Sequence, residues 1–275
     1  MAERLGTGLQ NRLLRFESGR DLQRKSLHEP LRDFFDLKKQ DMLIGEDFEK
    51  LRIELFGYTI IEPNALITDT LMAAVSLFFA YSLFKKNPQT PFLSKWYYFF
   101  LIFGISSFSG GLGHSFYLYW GVAGKFFNWI SGILAIYILE QAMLMLLKKD
   151  SKYKTYQNLL HLKLFLTIIA FTAVCITQPI QLKPQLAFIP IALNTFVGVI
   201  VTVGILGYRF SRTRDVNYKY FYYGVLIMLP SAVFFFFKIN LQPWFDKNDF
   251  SHVLFALGIG FFYWGIIQTN QKRLA

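Results

Sequence analysis

From residue 65 to residue 268 long apolar runs alternate with short polar breaks, and this rhythm predicts an all-α polytopic membrane protein. The runs cover residues 65–84, 96–117, 126–147, 164–177, 186–208, 220–237 and 253–268. Lys85 and Lys86 stop the first, Lys148 and Lys149 the third, and Gln178 and Pro179 the fourth. Pro190 falls in the first turns of the fifth, and Pro230 predicts a kink in the sixth. Most runs approach the roughly 20 residues that cross about 30 Å of hydrocarbon at 1.5 Å per residue. The expected architecture is a seven-helix transmembrane bundle over residues 63–275. The fourth and seventh runs are short, so six spans is the competing count. No internal repeat or low-complexity tract is present.

Loop charges orient the bundle. The loops after spans one, three and five, with the C-terminus, carry 14 Lys and Arg, and those after spans two, four and six carry four. The positive-inside rule puts the first group, including Lys163 and the cluster Arg209, Arg212 and Arg214, in the cytoplasm. The N-terminus is then outside and the C-terminus cytoplasmic, in a plasma membrane or a bacterial inner membrane.

Composition agrees. Hydrophobic residues make up 53% of the chain and charged ones only 17%, too apolar a balance for an ordinary soluble domain. The 31 Phe and 15 Tyr suit packing in lipid and anchoring at headgroup level. The net charge of +11 sits mostly in short loops facing a bilayer, which argues against a nucleic-acid partner. Cys175 is the sole cysteine, so neither an intrachain disulfide nor a Cys zinc cluster can form.

Residues 1–62 differ from the rest. They hold 11 basic and 12 acidic side chains, and read as a polar N-terminal tail with neither a signal peptide nor a transit peptide. Residues 1–41 are a candidate for a segment extraneous to the membrane fold. Met42 offers an alternative start, leading into an amphipathic stretch, expected to be helical, at residues 48–56.

The candidate chemistry lies at one membrane face. Asp69 sits about five residues inside span one, His114 near the end of span two, His252 at the start of span seven, and Glu62 just before Pro63. Ionisable groups in a bilayer are costly and usually serve a function. Each also has a plain structural account. Asp69 can tie two helices, Glu62 can cap span one, and Asp249 or Ser251 can cap span seven with His252 wetted beside it. The glycines of Ser109-Gly110-Gly111-Leu112-Gly113 serve either close helix packing or room beside His114. Asn128 and Asn194 supply neutral contacts or interhelical hydrogen bonds. Glu140, deep in span three, stands apart from this face and is expected to pair with a cation or tie helices through Gln141.

Two histidines and a carboxylate form a recognised zinc shell with one position open for water. On that reading His114, His252 and Asp69 hold the metal, and Glu62 or Asp69 is the general base. No H-E-x-x-H, Cys pair, G-x-S-x-G or Walker-type loop is present. The pattern of seven spans, a His after a Ser/Gly-rich turn in span two and a His in span seven resembles the superfamily of alkaline ceramidases and adiponectin-type receptors. The resemblance implies a zinc ion held by His114 and His252, Ser109 or Gly110 near the superfamily's Ser position, and hydrolysis of a lipid amide. This chain departs from it at Ala256, where a second span-seven His is expected, and in placing the site at the outer face.

Three functions compete: a zinc-dependent hydrolase of a lipid amide or ester, a non-catalytic receptor or binding protein using the same cluster, and a transporter or proton relay. The last lacks inverted repeats and paired broken helices.

Overall fold

The computed structural model describes residues 42–86, 90–147 and 151–274. The expectations for residues 1–41, including His28, and for the stop at Lys148 and Lys149 lie outside the described residues. Residues 42–275 form one compact unit.

Seven long helices build this unit: α1 (Pro63–Lys85), α2 (Pro91–Ser115), α3 (Ala123–Leu144), α4 (Ser151–Thr177), α5 (Gln185–Thr213), α6 (Lys219–Phe236) and α7 (Lys247–Leu274). Local chemistry sets their ends. Pro63 and Pro91 open α1 and α2, where a missing N–H costs nothing. The Thr90 hydroxyl accepts from Leu93 N–H at 3.3 Å as the α2 cap. At α7 the Asp246 carboxylate accepts from the N–H groups of Asn248 and Asp249 at 2.7 and 3.2 Å. Asp249 Oδ2 in turn accepts from Asp246 N–H at 3.0 Å, so the expected Asp249 shares the cap with Asp246, whereas Ser251 donates to the Lys247 carbonyl and does not cap.

Six of these segments are long and apolar enough to cross a membrane, and α2 is the exception. It has 25 residues, but its Tyr, Trp, Ser and Gly content dilutes its hydropathy. It nonetheless packs along both α1 and α3 and carries the centre of the core. Trp96 is fully buried, with the rings of Phe99, Phe100, Phe221 and Phe262 at 5.4 to 6.0 Å. A smaller core joins Val122, Trp129 and Ile133 to Phe171, Ala187 and Ile191.

The two short runs become long helices. α4 starts at Ser151, 13 residues before the expected span, so Lys163 is not a loop cation. Its ammonium meets Glu140 of α3 at 2.6 Å, and that pairing lets the helix carry a lysine inside its apolar length. α5 runs through Pro190 and widens to a π-helix over Val197–Ile205. α6 likewise continues through Pro230.

Residues 42–62 are folded against the bundle as strands, not as the amphipathic helix expected at residues 48–56. β2 (Arg52–Leu55) and β3 (Tyr58–Ile61) form an antiparallel hairpin. Its two-residue turn, Phe56-Gly57, has φ of 51° and 80°, the left-handed geometry that matches strand twist. Gly57 favours that turn, and no helix can continue through it. β1 (Leu43–Ile44) pairs with β4 (Ile239–Asn240) in the α6–α7 connection. Asn240 donates to the Glu46 carbonyl at 2.6 Å, and Asp47 pairs with Lys247 and Lys238.

Glycines set the spacing of α1, α2 and α3. A Cβ on Gly111 would lie 3.0 Å from Asp69 Cβ, and one on Gly113 would lie 2.6 Å from the Gly124 carbonyl oxygen. Gly110 is filled by Asn128, whose side-chain oxygen accepts from Ser106 at 2.8 Å. The Ser/Gly-rich stretch thus serves close packing. Gly113→Ala should push α2 and α3 apart and cost ~1–3 kcal/mol, seen as a lower Tm in detergent. An unchanged melting curve would mean that the two backbones do not meet there.

Candidate functional site

α1 begins, α2 ends, and α3 and α7 begin at one end of the bundle, and each brings polar side chains there. Glu62 leaves β3 with φ 50°, a left-handed turn unusual for a non-glycine residue, and makes no side-chain cap on α1. Its carboxylate instead accepts from His114 Nδ1 at 2.7 Å and pairs with Lys50 at 2.9 Å. Burial pushes the Glu62 carboxyl up, but the His114 hydrogen bond and the charges of His114 and Lys50 outweigh it and hold it well below the usual carboxylate range.

The second half of the cluster joins α1 to α7. Thr68 Oγ1 donates to Asp249 Oδ1 at 2.9 Å and lies 3.0 Å from His252 Nδ1. Asn64 Nδ2 donates to the other Asp249 oxygen. His252 Nε2 points at Asp69 Oδ1 across 3.6 Å, beyond hydrogen-bonding distance. Asp69 is 4% exposed, and its side chain makes no hydrogen bond among the described residues. Lys125 of α3 is near enough to act on the charges of Asp69 and Glu62, yet its only described partner is the Tyr117 ring at 5.4 Å. Asn64 Oδ1 is buried without a partner.

The four residues singled out from sequence, Glu62, Asp69, His114 and His252, therefore meet at one end of the bundle. They meet as two pairs, Glu62 with His114 and Asp69 with His252. Among the described residues no group of three or more His, Cys, Asp or Glu side chains is arranged to hold a metal ion. As arranged, His114, His252 and Asp69 do not fit a zinc shell. Ser109 turns back to donate to the Ser106 carbonyl at 2.7 Å and does not enter the cluster. His161 lies elsewhere, against Tyr137. Asn194 joins α5 to α4 through Lys163 and Thr167.

Sequence reasoning missed Lys50, Asn64, Thr68, Lys125 and Asp249 as members of the cluster. Two signals were present: Asn64 and Thr68 lie one turn apart on α1, and Asp249 and His252 stand at i and i+3 on α7. Lys125 had none, because an opening-turn lysine reads as a loop cation.

Six apolar helices and a buried polar cluster at one end define an integral membrane protein of the helical class. Residues 64–271 match the model of a family of unknown function, DUF6962, and the chain belongs to that family. No curated protein and no solved structure matches it.

Glu62 supplies a pH-dependent test. A depressed carboxylate contributes stability that is fully present above its unfolded value and is lost as pH falls toward the folded one. Glu62→Gln should cost ~2 kcal/mol at neutral pH, the scale of a hydrogen bond to a charged group. The gap to wild type should narrow as pH drops below about 4.5. Melting curves of both proteins across that range test this; a gap independent of pH would remove the ion pair from the account.

Proposed function

We propose that the chain is a seven-span membrane protein that binds the polar head of a membrane amphiphile at the end of the bundle where α1 begins, without metal-assisted hydrolysis. The observation that carries this reading is Asp69, 4% exposed and with no side-chain hydrogen bond among the described residues, with Lys125 near enough to act on its charge and in described contact with the Tyr117 ring. Buried polar groups in native proteins are nearly always satisfied, and an unsatisfied set points to a bound molecule that completes it. Asp69 and Asn64 Oδ1 offer acceptors and Lys125 a donor, which suits a neutral head bearing hydroxyl or amide groups.

A bilayer setting supports an amphiphile over a water-soluble ligand. An open apolar groove of about 700 Å³ runs between α1, α6 and α7, lined by Leu71, Val75, Tyr220, Val253, Ala256 and Gly260 among others, and Val253 follows His252 of the cluster. The small residues Ala256 and Gly260 leave room in its floor, and Ala256 is also the position where the resemblance to ceramidases lacks its histidine. The closed pairs Glu62–His114 and Thr68–Asp249 frame the open one and leave the fold's own needs met.

α2 is taken as the seventh span on its length of 25 residues and its place between α1 and α3. With Lys163 removed from the loops, 13 of the original 14 cations still favour the cytoplasm for the opposite end of the bundle, so the cluster lies outside. A reporter fused after Arg214 should read cytoplasmic and one fused at Lys183 exterior; the reverse overturns the orientation, and one compartment for both overturns the seven-span count.

The ligand reading is tested with a photoactivatable monoacylglycerol in proteoliposomes. Wild type should cross-link, and Asp69→Asn and Lys125→Met should each lower labelling severalfold while remaining folded. Equal labelling of all three would assign the cluster to structure alone.

A further inference from the structure

The β2–β3 hairpin ends in an apolar tip that the bundle does not cover. Phe56, at its turn, is 92% exposed, and Leu55 and Tyr58 beside it are about half exposed. Immediately after α2, the single helical turn Tyr117–Trp120 exposes Leu118, Tyr119 and Trp120 to a similar degree.

These two elements are one surface. The Tyr119 hydroxyl accepts from Thr59 N–H at 2.9 Å, and the Tyr58 ring stands edge-on to Tyr119 and Phe116 at 5.8 and 6.5 Å. Phe116 in turn stacks on Trp120 at 5.0 Å. The aromatic network holds the hairpin against the turn and leaves their outer sides bare. Large apolar side chains gain by leaving water, so six of them about half exposed or more on one small lip favour a cover for it.

We propose that this lip dips into the leaflet at the end of the bundle where α1 begins, so that the hairpin is a membrane-interface anchor. Continuity with the lipid-facing surface names the bilayer as the occupant. Ile67 on α1 and Phe108 on α2, within the spans just below, are themselves 64% and 45% exposed. Tyr and Trp are the residues that settle at headgroup depth, with an apolar ring and a polar tip. A lip fixed there bends the chain back at Glu62, whose positive φ reverses it from β3 into α1. The hairpin is thereby tied both to the leaflet and to the polar cluster, through Lys50 and Glu62.

The proposal does not depend on the ligand reading and is tested apart from it. Cys175 is the sole cysteine, so Cys175→Ser gives a background for single spin labels. Labels go on Phe56→Cys and Trp120→Cys, with Lys183→Cys in the α4–α5 connection at the same end of the bundle as an aqueous reference. All three positions are exposed, so the fold should tolerate them. In phosphatidylcholine proteoliposomes, labels at 56 and 120 should collide more with oxygen than with a water-soluble nickel chelate, and the label at 183 the reverse. Labels at 56 and 120 that behave like the one at 183 overturn the anchor. Labels shielded from both reagents overturn it too, because the lip is then covered by protein, a second copy included.

Discussion

The arrangement rests on how closely α2 approaches its neighbours. At Gly111 the α1 side of α2 has no room for a side chain beside Asp69, and at Gly113 two backbones meet across Gly124. Only that spacing lets His114 reach Glu62 and sets Lys125 of α3 near Asp69 of α1. In lipid there is little hydrophobic gain from joining helices, so van der Waals contact and interhelical hydrogen bonds must hold them. The glycines supply the contact and Asn128 with Ser106 the bond. The cost is a run of poor helix formers in the last turns of α2, and the same run helps to keep α2 out of the six helices apolar enough to cross a membrane.

This explains what was legible in the sequence. Apolar period and loop lysines are strong signals, and they located α1 and α6 to within two residues and α3 and α5 to within five. They failed where a polar residue is neutralised by a partner distant in sequence. Lys163 looks like the edge of a span until Glu140 is seen 2.6 Å away. The hairpin was misread because Phe48, Leu51, Ile53, Leu55 and Phe56 satisfy a helical stripe nearly as well as a strand, and the decisive residue was Gly57. The shared face of Glu62, Asp69, His114 and His252 was readable because each lies at a counted depth from a span end. Which of them touch was not, since that depends on the rotation of four helices about their axes.

Glu140 and Lys163 show how this chain carries charge when charge has a structural task. Their ion pair is buried, and the remaining needs are met locally. Thr202 donates to the free Glu140 oxygen at 3.1 Å, and Lys163 donates to the Asn194 carbonyl at 3.2 Å. α5 can deliver both groups because Gly198 lets it close on Ile136 and Glu140, where a Cβ would lie 2.5 and 3.3 Å from their side chains. The π-helical stretch around Gly198 changes the facing of Thr202 relative to Asn194. Burying such a pair yields little net stability against an apolar alternative, but separating its members is expensive, so it fixes the register of α3, α4 and α5.

That closed pair is the standard against which the other end should be judged. The same chain, under the same penalty for burying charge, satisfies Glu140 with a lysine and a threonine and satisfies Glu62 with a histidine and a lysine. Asp69 receives no such treatment, although Thr68 beside it has four polar atoms within 3.3 Å. A donor for Asp69 was within reach of the fold, since Lys125 stands close enough to influence its charge and His252 faces it at 3.6 Å. A buried carboxylate with no donor in hydrogen-bonding range is unfavourable for folding alone, and the proposed ligand reading rests on that contrast with Glu140 and Glu62.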